Sequence, residues 1–168
     1  ADAAVVGIYG KFMSLADRYV VLNELRADLL DCTPNANEAL RQISTHSVTE
    51  NNPYASPKPF YELILNCNDV LEHFQVMVKE KRMTEAEFSQ RYSDIGALRT
   101  FLYLQLGIHF GEIPYVTSSL KSVDEVKNAG NYPKLSFNTL LDSLINFSER
   151  LPFKDVYPTG TNLNITVD

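Results

Sequence analysis

The sequence predicts an all-α fold whose helices come as antiparallel pairs with short joints, as in a helical repeat, separated by long irregular loops. Three observations carry this. Apolar residues recur at helical spacing between clusters of proline: Pro34, then Pro53, Pro57 and Pro59, then Pro114, Pro133, Pro152 and Pro158. Glycine is scarce, at 7 residues, so few positions allow sharp reversals. A full helix-start signal stands at Thr84-Glu85-Ala86-Glu87, the pattern of a capping box.

The first stretch, residues 3–30, carries Val5, Ile8, Tyr9, Phe12, Tyr19, Leu22, Leu25 and Leu29. Gly7 and Gly10 weaken its first turns, so a helix, a joint at residues 14–17 and a second helical piece are expected. Residues 31–59 are rich in Asn, Ser, Thr and Pro and read as a long polar connection. Residues 60–79 form the next helix, with Tyr61, Ile64, Leu65, Leu71, Phe74 and Val78 as its apolar stripe and Asn66, Asn68 and Glu72 on the other face.

Thr84 then starts a helix running to about Phe110, with Met83 and Phe88 at the positions of a hydrophobic staple. About 26 residues make a rod ~39 Å long. From Leu98 to Phe110 it is apolar almost all round, which places it centrally in a bundle. Gly111 supplies the left-handed terminus, and Pro114 blocks continuation. A last helix is announced by Leu135-Ser136, carries Leu140, Leu141, Leu144, Ile145 and Phe147, and ends before Pro152. Beyond a turn at Tyr157-Pro158-Thr159-Gly160, residues 162–168 alternate at period two, a strand signal without a partner in this chain.

Lys and Arg number 15 against 21 Asp and Glu, a net charge of -6. Nucleic-acid binding calls for clustered positive charge, so no nucleic acid is expected as a partner. No apolar run approaches the ~20 residues a membrane span requires. Cys32 and Cys67 lack CxxC spacing and have no His at zinc-site spacing. Cys67 follows an apolar run and reads as a small buried residue, and a Cys32–Cys67 disulfide is possible only in an oxidising compartment.

The segment Leu98-Arg99-Thr100-Phe101-Leu102-Tyr103-Leu104-Gln105-Leu106-Gly107-Ile108-His109-Phe110-Gly111-Glu112-Ile113-Pro114-Tyr115-Val116-Thr117 resembles the signature of the SusD/RagB family. Leu98-Arg99, Gln105-Leu106 and Phe110-Gly111-Glu112-Ile113-Pro114 stand at matching offsets. Thr100 replaces the usual Ala, and Ile95-Gly96 departs from the family's Ala-Arg/Lys, which marks a divergent member. Three further stretches are similar to the family in the same order: Asn23-Glu24-Leu25-Arg26-Ala27-Asp28, the run from Tyr61 to Glu72, and the run from Phe137 to Pro152.

The resemblance implies a scaffold of tetratricopeptide-like helix pairs, with residues 1–168 as the N-terminal part of a SusD-like helical domain, incomplete at its C-terminus. It also implies a surface lipoprotein of the outer membrane, held by a lipid anchor upstream of Ala1. Such a protein binds glycan or another nutrient without catalysis and delivers it to a partner TonB-dependent outer-membrane transporter. No cofactor is implied. A helical-repeat adaptor with a peptide or protein partner is the alternative.

Residues 31–59 are the candidate recognition segment. Sugars are held by aromatic faces and by amide, carboxylate and guanidinium groups. Tyr54 supplies a face, and Arg41, His46, Asn51 and Asn52 supply hydrogen bonds, with Asn35 and Asn37 nearby. The same residue types also simply make turns, and the absence of Trp counts against a stacking site.

Arg26 and Asp28 read as a structural pair. Arg99, on a helix expected to be buried, calls for a carboxylate or carbonyl partner, with Asp94 and Glu112 as candidates. Asp69 and His73 stand at i, i+4 but lack a third metal ligand, so a solvated face is the simpler reading. His109 reads as a core or capping histidine, and His46, in the polar connection, is uninformative on its own. Asn146-Phe147-Ser148 and Asn164-Ile165-Thr166 match the glycosylation triplet by chance in a bacterial setting. Glu85 and Glu87 are explained by the cap, and Asp124 and Glu125 by the first turn of a short helix. No Gly-x-Ser-x-Gly, His-Glu-x-x-His, P-loop or dinucleotide glycine run is present, so catalysis is not expected.

Overall fold

Two long helices form the spine of the chain. In the computed structural model, which describes residues 2–128 and 132–153, α4 (Lys58–Lys79) and α5 (Glu85–Phe110) lie antiparallel across a short turn. Tyr61 faces Tyr103, Asn68 faces Arg99 and Gln75 faces Tyr92, so the partners are equidistant from that turn. The fold is all-α. Its only strands among the described residues are β1 (Ile113–Pro114) and β2 (Lys134–Leu135), an antiparallel pair in which Ile113 faces Leu135.

The cap that opens α5 has the expected geometry. The Thr84 hydroxyl accepts from the Glu87 amide at 3.2 Å, and the Glu87 carboxylate accepts from the Thr84 amide at 3.0 Å. The Thr84 amide and hydroxyl both donate to the Glu87 carboxylate, which holds its pKa below the ordinary value. Met83 is buried and Phe88 packs on the core as the staple requires. Thr84→Ala is expected to cost roughly 1 kcal/mol, read as a fall of about 3 °C in melting temperature; an unchanged melting curve would contradict the cap. At the far end Gly111 adopts φ 74°, a conformation that strains any residue with a Cβ.

The first stretch divides where expected. Helix α1 (Asp2–Met13) ends at a joint, and α2 (Ala16–Tyr19) continues into a π-helical turn, Val20–Leu25, a winding that the sequence spacing does not reveal. Leu22 and Leu25 enter the core from it. The Tyr19 ring packs among Phe12, Phe60 and Phe101, with centroids 5.4–5.7 Å away. Its hydroxyl is the one buried side-chain polar atom without a partner among the described residues. Tyr19→Phe removes that desolvated group and is expected to stabilise the chain by about 1 kcal/mol, as a higher urea midpoint; a lower midpoint would mean the hydroxyl has a partner.

Four sequence expectations are corrected. Residues 31–59 are not a continuous loop: they contain α3 (Glu38–Ser44) and a 3₁₀ turn, Pro53–Ala55. Asn37 caps α3 by accepting from the Leu40 amide at 3.0 Å, and Ile43 is buried. Asn68 does not lie on the outer face of α4 but is buried, because it bonds the chain that follows α5. The 98–110 run is not covered all round: Phe101 and Ile108 remain 38% and 46% exposed. Arg26 does not pair with Asp28; it reaches His109, while Asp28 sits at φ 62°.

Helix α7 (Phe137–Glu149) starts at Ser136, whose side chain accepts from the Thr139 amide, and buries Leu140 and Leu144. It packs on α5 at two glycines. A Cβ on Gly107 would lie 2.7 Å from Leu140 Cδ2, and one on Gly96 would lie 2.7 Å from Leu151 Cδ2. Asp124 and Glu125 fall in the first turn of α6 (Val123–Asn128). Cys32 and Cys67 are both free thiols; Cys67 is buried, which pushes its pKa up to about 12. The turn at residues 157–160, the period-two segment at 162–168 and the second glycosylation triplet lie outside the described residues.

Candidate functional site

The five residues proposed from sequence for recognition are close in the chain but have separate tasks. Arg41 donates from Nε to Ala36 O at 2.9 Å and from Nη2 to Pro34 O at 2.6 Å, which fastens the segment before α3. Asn52 is buried: its amide nitrogen donates to Ala39 O and Gln42 Oε1, and its oxygen accepts from the Tyr54 amide. Its hydrogen-bonding capacity is therefore used in joining the 3₁₀ turn to α3. Tyr54 is half-buried against the core. His46, at φ 55° just past α3, and Asn51 are exposed. So Arg41, Asn52 and Tyr54 hold the segment together, and of the five only His46 and Asn51 are exposed with side chains that make no hydrogen bond among the described residues.

A separate concavity lies away from these five residues. A cleft of about 450 Å³ opens between α4, α5, α7 and the chain after β1. Its floor is Arg99, only 5% exposed. The Arg99 guanidinium lies over the Phe147 ring at 4.3 Å. Its Nη1 donates to Asn68 Oδ1 at 2.7 Å and, at 3.4 Å, to Thr117 O. The expectation of a carbonyl partner is met; Asp94 and Glu112 do not pair with it, and its side-chain partner is a neutral amide. Asn68 in turn donates to Val116 O at 2.9 Å and Ser118 O at 3.2 Å.

The same segment is gripped by tyrosines. Tyr103 Oη donates to Val116 O at 2.6 Å and accepts from the Val116 amide at 2.9 Å, and Tyr61 Oη donates to Pro114 O at 2.7 Å. Burial raises the pKa of both phenols well above the ordinary value, so both stay neutral donors. At the rim Lys121 pairs with Glu72, and the Ser119 hydroxyl donates to Asp69 Oδ1 at 3.1 Å. The Glu72 contact raises the Lys121 pKa. Gln75 donates to Tyr92 Oη at 3.2 Å.

A second polar cluster joins the π-helical turn to α5. Asn23 Nδ2 donates to Gln105 Oε1 at 3.0 Å, and His109 Nδ1 lies 3.2 Å from Arg26 Nη1. A guanidinium can only donate, so His109 Nδ1 accepts and its Nε2–H donates to Gln105 Oε1 at 3.2 Å. Burial, then the charge of Arg26, lowers the His109 pKa to about 4.

The unfolded chain, with histidine near its ordinary 6.5, then binds more protons than the folded chain below that pH. This contribution to stability is complete above pH 6.5 and is lost as pH falls toward 4. Between pH 7 and pH 5 the urea midpoint of the wild type is expected to drop more than that of His109→Gln. Equal drops would rule His109 out as the responsible group.

Asp69 and His73 form an exposed pair 3.5 Å apart on α4. Among the described residues no group of three or more His, Cys, Asp and Glu side chains is arranged to hold a metal ion, and no helix is long and apolar enough to cross a membrane.

Sequence reasoning singled out Arg99 but missed the cleft around it. Asn68, Gln75 and Tyr92 are brought there by the hairpin register, and Phe147 by the α5–α7 contact. Comparison with protein-family models, with curated proteins and with solved structures gives no match to this chain.

Proposed function

We propose that this chain is a non-catalytic nutrient-binding scaffold of the SusD/RagB kind, acting at the outer-membrane surface to deliver a glycan or related nutrient to a TonB-dependent transporter. The observation that carries this reading is the use made of the signature residues. Leu98, Leu102 and Leu106 are buried, Arg99 and Tyr103 hold the backbone at 116–117, Gly111 reverses the chain, and Ile113 re-enters the core. The run that resembles the family is thus one mechanical unit, a helix locked to the chain that leaves it. Beside that unit lies a polar cleft of ligand size.

The test is cross-linking at the surface of the host cell with the full chain, together with a glycan array. Capture of a TonB-dependent barrel and binding of a sugar are expected, with no release of reducing ends from it. Capture of peripheral proteins alone, with no sugar bound, would overturn the reading. It would instead favour a helical-repeat adaptor, which the exposed apolar side chains Val6, Met13, Phe101 and Ile108 support.

A further inference from the structure

We propose that the Arg99 cleft is a binding site for a carboxylate-bearing sugar, a uronate, with the free edge of the guanidinium gripping the carboxylate. The proposal rests on the nutrient-binding reading for the class of ligand, and on geometry for the site.

A guanidinium cannot shed its proton, and burying one without a counter-charge is costly. Arg99 is buried, yet its partners are the Asn68 amide oxygen, the Thr117 carbonyl and the Phe147 ring. All three are neutral, and no carboxylate pairs with Arg99 among the described residues.

One nitrogen, Nη1, makes both hydrogen bonds. Nε and Nη2 make none among the described residues. Arg99 lines the cleft, and Nε and Nη2 are the donors it has left for a ligand there. Nε–H and Nη2–H on one edge are parallel donors, the fork that matches the two oxygens of a carboxylate. The edge is pre-positioned, because Phe147 holds one face of the plane and Asn68 and Thr117 hold the opposite nitrogen. Little rotamer freedom is left to lose on binding.

The one acid in the cleft wall already has a cation of its own. Glu72 is the acid that lines it, and Lys121 neutralises Glu72 at the rim. Asp69, bonded to Ser119 and beside His73, and Glu125, which accepts from the Lys121 amide, stand outside that wall. Among the described residues the charge of Arg99 has no paired carboxylate. The remaining polar groups of the wall, Gln75, Tyr92 and Ser119, are donors and acceptors of the kind that bond sugar hydroxyls. The volume, about 450 Å³, lies in the range of small-ligand clefts.

The test is a titration of the whole 168-residue chain with galacturonate, glucuronate, glucose and acetate, followed by calorimetry and by the NMR signal of the Arg99 Nε–H in the wild type. Saturable uronate binding that moves the Nε–H signal, with glucose and acetate each at least about tenfold weaker, is expected. Arg99→Lys keeps the charge and loses the fork, and is expected to weaken uronate binding by about tenfold or more. Gln75→Ala, at an exposed position, tests the hydroxyl contacts without touching the core and is expected to weaken uronate but not acetate.

Three results would overturn the proposal: glucose binding as tightly as the uronates, acetate doing so, or no uronate moving the Arg99 signal. None of them touches the transporter cross-link. Conversely, loss of that cross-link with uronate binding intact would remove the delivery role and leave the site standing.

Discussion

Leu102→Ala is expected to destabilise the chain by roughly 2–5 kcal/mol. Leu102 is completely buried near the middle of α5, and α5 packs on both α4 and α7. Truncation removes the transfer free energy of the lost methyl groups and leaves a void that the spine of the fold cannot collapse to fill. The measurement is urea unfolding: the midpoint should fall while the slope is retained. A loss below about half a kcal/mol would place Leu102 at a yielding surface. Hydrogen exchange offers an independent check, since amides at 98–110 should exchange far more slowly than those at 45–52.

Asn68→Leu is expected to cost about 2–4 kcal/mol although it replaces a polar core residue with an apolar one of similar size. The Asn68 oxygen is the nearest acceptor for the Arg99 charge, at 2.7 Å, and its nitrogen satisfies Ser118 O. Leucine supplies neither, so a buried cation loses its closest partner and a carbonyl loses its donor. Val116 O keeps the Tyr103 hydroxyl and is spared. Asp69→Leu, one residue along on the exposed face, is expected to change stability by less than about half a kcal/mol. If the two substitutions cost the same, the Arg99–Asn68 bond contributes nothing to the fold.

Helix existence was legible because its causes are local. Thr84, Glu87, Gly111 and Ser136 act on backbone groups within a few residues of themselves, and each ends or begins a helix as its chemistry dictates. Helix α3 was not legible in the same way. Seven residues give too short a period to read, and its turn-forming neighbours dominate the composition. The π-helical turn is invisible for a related reason: Val20–Leu25 has apolar residues that suit either winding, and its tertiary neighbours, α3 and Gln105 of α5, are not set by local sequence.

The site was legible only in part. Arg99 stood out as a charge in an apolar run, but its partner depends on a register between two helices. A signal did exist: once the hairpin turn is fixed at residues 80–84, positions equidistant from it must face each other, which pairs Arg99 with Asn68 and Tyr92 with Gln75. Phe147 had no such signal, because nothing local sets how α7 lies on α5. Asn52 was misjudged since a buried turn amide and an exposed ligand amide look alike in sequence.

The two glycines on α5 have a consequence for which helices can occupy its flank. Gly96 and Gly107 lie about three turns apart on the rod, and each receives a bulky tip: Phe147 and Leu151 at one, Phe137 and Leu140 at the other. The groove is therefore notched at two fixed stations, and a neighbour fits only if its large side chains carry the same interval. Displacing α7 by a single residue, about 1.5 Å, would lift both tips off their notches together. The flank works as a gauge: it accepts one spacing and rejects a helix of equal greasiness whose bulk falls elsewhere.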